Sequence, residues 1–172
     1  MRHSYGILLY RYTDEGKLQV FLGHASSPRY WTRNPKKIWG IPKGRADRSE
    51  KPLETAKREF EEEVGIPAPD LKYKKLCKYA TPHKRRRKRI TIFIGDATGL
   101  NIAYGGSQEH TRHWPSKKGA KVTYLEMDDA QWFTKKKALK RALWGQRGAL
   151  RLFFKTMEAK AKKKAQPQLA FV

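Results

Sequence analysis

The sequence predicts an α/β (α+β) fold, an α/β/α sandwich, on three observations. Apolar, β-branched segments lie both before and after one central segment of helical period, and a second helical segment near the C-terminus carries its own apolar stripe. No internal repeat is visible that would point to a solenoid or propeller. A sheet with helices that each own one apolar face closes its core by taking helices on its two sides. At 172 residues the chain fits one domain, predicted over 1–164, with a short frayed tail at 165–172.

The elements follow in order. Tyr5 to Tyr12 (YGILLYRY) and Leu18 to His24 (LQVFLGH) read as strands joined by a polar turn with Asp14 and Gly16, a hairpin signal. Ala25 to Lys37 holds two prolines and no periodicity, so it reads as a long loop beside the site. It mixes Tyr30 and Trp31 with Arg29, Arg33, Lys36 and Lys37. Aromatic faces beside cations suit base stacking and phosphate neutralisation, and a loop tryptophan suits local packing equally well. Ile38 to Ile41 reads as a short strand, and Pro52 opens a helix in which Leu53, Ala56 and Phe60 form the buried stripe. Gly65 and Pro67 end it.

Leu71 to Thr81 and Arg89 to Ala97 read as strands, the second from its β-branched and aromatic content. Leu100 to Lys121 is dominated by glycine, serine and polar residues and reads as a loop or insertion. Its His110 and His113 lack a third ligand and carry no metal signal. Val122 to Leu125 and Ala130 to Phe133 read as short strands, with Thr134 the N-cap of a helix from Lys135. A last helix is predicted from Gln146 to Lys164, its core stripe made by Leu150, Phe153, Phe154 and Met157.

Charge narrows the classes of partner. Lys and Arg number 39 against 16 Asp and Glu, a net charge of +23. A field of that sign attracts polyanions such as nucleotides, inositol polyphosphates or RNA, and also simply favours solubility. The six consecutive cations Lys84, Arg85, Arg86, Arg87, Lys88 and Arg89 read as a hairpin tip and as a candidate nucleic-acid patch. No apolar run approaches the roughly 20 residues of a membrane span, so no membrane partner and a soluble, cytoplasmic location are expected. Cys77, the single cysteine, excludes an internal disulfide and reads as a packed strand residue rather than a nucleophile.

The acids concentrate where the chemistry is expected. Gly44 to Ile66 (GRADRSEKPLETAKREFEEEVGI) holds seven of them, and Glu59, Glu62 and Glu63 stand at i, i+3 and i+4, hence on one side of a helix. Like charges so close repel, and a divalent cation among the carboxylates relieves the repulsion. The catalytic and packing faces are then distinct, so the core holds carboxylates that face solvent and metal.

The same stretch matches every fixed position of the Nudix box G-x5-E-x7-R-E-U-x-E-E-x-G-U, through Gly44, Glu50, Arg58, Glu59, Phe60, Glu62, Glu63, Gly65 and Ile66. The chain therefore resembles the Nudix hydrolases. Upstream WGIPKG, later AQWF and GQR are similar to a branch of predicted NTP pyrophosphohydrolases in that family. Members of that branch tend to have an acid where this chain has His113, which leaves Glu109 and Glu126 as substitute loop acids.

The resemblance implies a Nudix-type sandwich with a mixed central sheet, and a pyrophosphohydrolase that splits a nucleoside diphosphate linked to another group by attack of water. It implies Mg2+, or Mn2+, at Glu59, Glu62 and Glu63 with Gly44, and a general base at Glu59 or a loop acid such as Glu109. It implies a brace between Glu50 and Arg58, and phosphate contacts at Lys43; the aromatic and basic content of the 25–37 loop adds Trp31, Tyr30 and Arg33 as candidate substrate contacts. Dinucleoside polyphosphates, nucleoside triphosphates, inositol pyrophosphates and capped or triphosphorylated RNA 5′ ends all satisfy the box. A non-catalytic RNA- or ribosome-binding module is the alternative outside enzymes. The sequence leaves the oligomeric state open.

Overall fold

The computed structural model describes residues 2–47, 49–81 and 88–165. Along the chain run β1 (Arg2–Tyr12), β2 (Leu18–Ala25), β3 (Trp39–Gly40), β4 (Lys43–Arg45), α1 (Pro52–Val64), β5 (Lys74–Thr81), β6 (Lys88–Asp96), β7 (Glu109–Trp114), β8 (Ala120–Leu125), β9 (Met127–Thr134), α2 (Lys135–Arg141) and α3 (Arg147–Ala165). Seven strands form one mixed sheet with a path β3-β2-β1-β6-β5, to which β4 adds on β1 and β9 on β2. The β1–β6 pair is parallel and the β1–β2, β5–β6 and β2–β9 pairs are antiparallel.

The core explains the unbroken apolar runs of the first two strands. Leu8, Val20 and Leu22 pack with Leu150, Phe153 and Phe154 of α3, while Ile7, Leu9 and Phe21 pack with Ala56, Phe60 and Val64 of α1. Successive side chains of a strand point to opposite faces, so helices on both faces bury every residue instead of every second one. The α/β/α sandwich with a mixed sheet is thus the observed fold. Among the described residues no helix is long and apolar enough to cross a membrane.

A fork in the sheet positions the site. β1 and β2 pair only from Tyr10–Tyr12 to Leu18–Val20, and beyond that point they diverge. The segment from Trp39 to Arg45 enters the gap, first pairing with β2 through Trp39 and Gly40, then with β1 through Lys43 to Arg45. Between the two pairings the Ile7 N–H donates to the Pro42 carbonyl at 3.1 Å. Side chains just after the fork therefore stand between two strands and α1.

Several expected boundaries move, and one element is overturned. The strand expected over 38–41 is confined to Trp39–Gly40, and that expected from Leu71 begins at Lys74. The loop expected over 100–121 instead contains β7, which pairs with β8 as a separate two-stranded sheet. Most side chains of β7 are exposed, so no buried face imposes an apolar alternation on its sequence, EHTRHW. The stretch before it straps the end of α1. The Gly105 N–H donates to the Val64 carbonyl and that of Gln108 to the Glu62 carbonyl, satisfying groups that a helix end leaves unpaired. Thr134 precedes α2, but its side chain makes no capping hydrogen bond. Lys84, Arg85, Arg86 and Arg87, and the expected tail beyond Ala165, lie outside the described residues.

Candidate active site

Glu50 comes from the loop before α1, and Arg58 from the helix itself. Arg58 Nε and Nη2 each donate to the Glu50 carboxylate at 3.0 Å, and Nη2 also reaches the Arg45 carbonyl at 2.9 Å. This fork ties loop, strand and helix together. The Glu50 carboxyl is held below its ordinary range, first by Arg58 and then by the Thr55 hydroxyl and Asp47 amide, against the effect of burial. Arg58 Nη1 turns the other way and donates to Glu59 at 3.1 Å and to Glu62 at 2.9 Å.

The acidic face is less open than its helical spacing suggests. Glu63 is 7% exposed and accepts the Lys43 amide at 2.7 Å, because β4 lies across this side of α1. Burial pushes its carboxyl up to about 8, with the Lys43 charge and amide opposing, and Glu126 and Glu59 adding to the rise. Glu59 is also raised by burial, with Arg58 opposing and Glu62 and Glu126 reinforcing. The expectation that these carboxylates face solvent is corrected: only Glu62 keeps about a third of its side chain exposed, at 32%. A Cβ placed on Gly44 would lie 1.6 Å from Glu59 Oε2, so only a glycine there lets the carboxylate rest on the backbone.

A narrow cleft of about 20 Å³ runs beside these acids, lined by Arg29, Tyr30, Lys43, Glu63, Glu126 and Gln146 among others. Glu126 enters from between β8 and β9, and its charge is felt by both Glu59 and Glu63. Glu109 is exposed at the start of β7, opposite Leu125, and lines no part of the cleft. The Arg29 guanidinium lies over the Tyr30 ring at 4.6 Å. Trp31 is 51% exposed with its indole N–H on the Ser26 carbonyl at 2.8 Å, and neither it nor the exposed Arg33 borders the cleft. Arg89 is exposed on β6, across from Ala80, and Lys88 begins that strand.

Sequence reasoning did not reach Arg29 or Gln146 as cleft residues. Gln146 lies in the GQR segment, and its Oε1 accepts the Ile41 amide at 2.6 Å, two residues before Lys43. That contact spans 105 residues and leaves no local signal.

The NUDIX domain family matches residues 2–153. The chain belongs to the NUDIX family. Its box is complete, and it is a Nudix pyrophosphohydrolase by family. No curated protein matches it. Among solved structures it is similar to an Ap4A hydrolase of C. elegans, with 20% identity, a TM-score of 0.63, and coverage of 92% of this chain and 99% of the other. A NUDIX hydrolase of Listeria monocytogenes shares 18% identity at a TM-score of 0.66, covering 93% and 97% of the two chains. The NUDIX domain of Shewanella oneidensis NrtR, complexed with ADP ribose, shares 16% at 0.56, covering 92% and 87%. At these identities the likeness is one of fold.

The donors gathered beside the Gly44 notch are carboxylate oxygens, the ligand type that a divalent cation such as Mg2+ takes. Glu59 sits in the notch left by Gly44, Glu63 is buried beside it, and Glu126 adds a third carboxylate close enough to raise both. Among the described residues these acids do not converge on a closed three-ligand group, since Arg58 draws Glu62 and one edge of Glu59 toward itself. The guanidinium is the counter-charge they hold in this arrangement.

Proposed function

We propose that the protein hydrolyses a phosphoanhydride in a nucleoside diphosphate linked to another group, such as a dinucleoside polyphosphate or a nucleoside triphosphate, with Mg2+ or Mn2+ held by Glu59, Glu63 and Glu62 at Gly44. The observation that carries this reading is the buried acidic set on the Lys43–Gly44 backbone of a chain with a complete Nudix box. An Ap4A hydrolase and an ADP-ribose-bound domain among the fold neighbours support a nucleoside phosphate as ligand.

When bound, the cation supplies the positive charge that lets a polyphosphate approach these carboxylates and polarises its phosphoryl oxygens. The chain's own residues do the rest. Lys43 and Arg29 face the cleft and bind phosphate oxygens, and the Tyr30 ring borders the place of the adjoining group. Arg58 and Glu50 hold α1 against the loop, so the acids keep their positions while charge shifts in front of them. Water attacks phosphorus, a P–O bond of the bridge breaks, and one carboxylate takes the proton of the water. Glu126 suits that role best, since its carboxylate makes no hydrogen bond among the described residues while Glu59 is engaged by Arg58.

The test is a hydrolysis panel over dinucleoside polyphosphates, nucleoside triphosphates, inositol pyrophosphates and triphosphorylated RNA, with and without Mg2+. Glu63→Gln should abolish turnover, and Glu126→Gln should lower kcat about a hundred-fold at nearly unchanged KM. Near-full turnover by both folded variants, or full turnover of the wild type in a chelator, overturns the assignment.

A further inference from the structure

A second hollow lies apart from the acidic cleft. It is a groove of about 460 Å³ at the start of α3, walled by Tyr79 and Ala80 of β5 on one side and by Trp144, Arg147 and Arg151 on the other. That volume suits a nucleotide-sized ligand. Three features set it apart from an incidental hollow.

The first is Trp144, whose side chain is 80% exposed although its backbone is pinned. The Leu143 amide donates to the Trp39 carbonyl at 2.7 Å, and Gln146, two residues beyond the tryptophan, is buried with its side chain on the Ile41 amide at 2.6 Å. A rigid mount that presents a large aromatic ring to water forgoes the favourable burial of its faces, which a stacked ligand would recover.

The second is charge. From Ala130 to Ala165 the chain has twelve Lys and Arg and one acid, Glu158, which is paired with Lys135. Among the described residues neither Arg147 nor Arg151 is ion-paired. Arg147 is oriented by the Ala142 and Lys140 carbonyls, at 3.0 and 3.3 Å, and Arg151 follows one helical turn later. Arg89 extends the positive border, since it lies across from Ala80 in the β5–β6 pair.

The third is the floor of the groove. A Cβ on Gly145 or Gly148 would meet nothing within 4 Å, and neither has a positive φ, so packing does not require glycine at either place. Bare backbone there lets a ligand approach the first amides of α3. The Tyr79 hydroxyl, buried without a hydrogen-bond partner among the described residues, is a further polar group on the groove wall.

We propose that this groove binds a single-stranded nucleic acid, with a base stacked on Trp144 and successive phosphates on Arg147 and Arg151. An exposed aromatic platform beside spaced cations is the arrangement that single strands require, and a duplex offers no free base face to it. The turn from Leu143 to Gln146 is a shared wall: Gln146 and Leu143 line the acidic cleft, and Trp144 lines the groove. A strand in the groove thus lies back to back with the proposed diphosphate site.

The experiment uses an oligouridylate of about ten nucleotides with a 5′ hydroxyl and a 3′ fluorophore, read by anisotropy. Lacking a terminal phosphate, it probes the groove independently of the proposed hydrolysis, so failure of either reading leaves the other testable. The wild type should bind, Trp144→Ala should bind about ten-fold more weakly, and Arg151→Gln should reduce the slope of log affinity against log salt by about 0.7. Thermal melting serves as the fold control for both exposed positions. Equal binding of the matching oligodeoxynucleotide assigns the groove to single strands in general, and tighter binding of the ribose form assigns it to RNA. No binding at low salt, or unchanged affinity and salt slope in both folded variants, overturns the proposal and leaves the groove empty of this function.

Discussion

Arg58 holds the acidic face together, since one guanidinium meets Glu50, Glu59, Glu62 and a main-chain carbonyl. Its partner Glu50 has a carboxyl depressed below the ordinary 4.5. A depressed folded value means that the pair contributes stability above the ordinary pKa and loses it as pH falls through the folded value. Glu50→Gln should therefore destabilise the protein most above about pH 5, with the difference from wild type fading in more acid solution, as read by urea unfolding across pH. A difference independent of pH would place the effect in packing. The helical spacing in the sequence makes the three box glutamates legible, because i, i+3 and i+4 follow from helix geometry alone. That Arg58 would take Glu62, and that Glu126 would stand among the acids while Glu109 stayed outside, depends on tertiary contacts that no local pattern encodes.

Among the elements, α1 is one whose limits could be read in advance. It runs Pro52–Val64, opened by a proline at its first position and closed by Gly65 at φ 81°. The glycine is needed twice over. An L side chain is strained at that φ, and a Cβ would lie 1.9 Å from the Gly106 carbonyl oxygen in the strap below the helix. Gly65→Ala should cost at least about 1–2 kcal/mol in chemical denaturation, with the loss exceeding that of an ordinary C-terminal glycine because the strap must also move. An effect under a few tenths would show that the strap is not packed there in solution. The β7–β8 hairpin was legible only in its β8 half, over Val122 to Leu125, for the opposite reason. Its strands contribute backbone pairing and almost no core, and apolar alternation arises only where one face is buried.

At the scale of the whole molecule the +23 charge surrounds a site built from carboxylates. Such a field speeds the arrival of a polyphosphate without altering the bond-breaking step. Raising ionic strength from about 0.01 to 0.15 M shrinks the Debye length from about 30 to 8 Å, so kcat/KM on a nucleotide should fall about ten-fold while kcat holds. A salt-independent kcat/KM would mean that the charge serves something other than substrate capture. The sandwich itself was legible because both sheet faces are buried and each helix shows its apolar stripe, whereas the fork between β1 and β2 is a matter of strand divergence and leaves no mark on composition. That fork makes the chemistry mechanically sensitive at a distance. Lys43 is wedged between two strands, and Gly6 on β1 touches it: a Cβ there would lie 2.5 Å from both the Lys43 Cβ and the Pro42 carbonyl oxygen. Gly6→Ala should push the wedge out of line and lower turnover with every acid of the box intact, so an inactivating lesion in this enzyme need not be sought on its acidic helix.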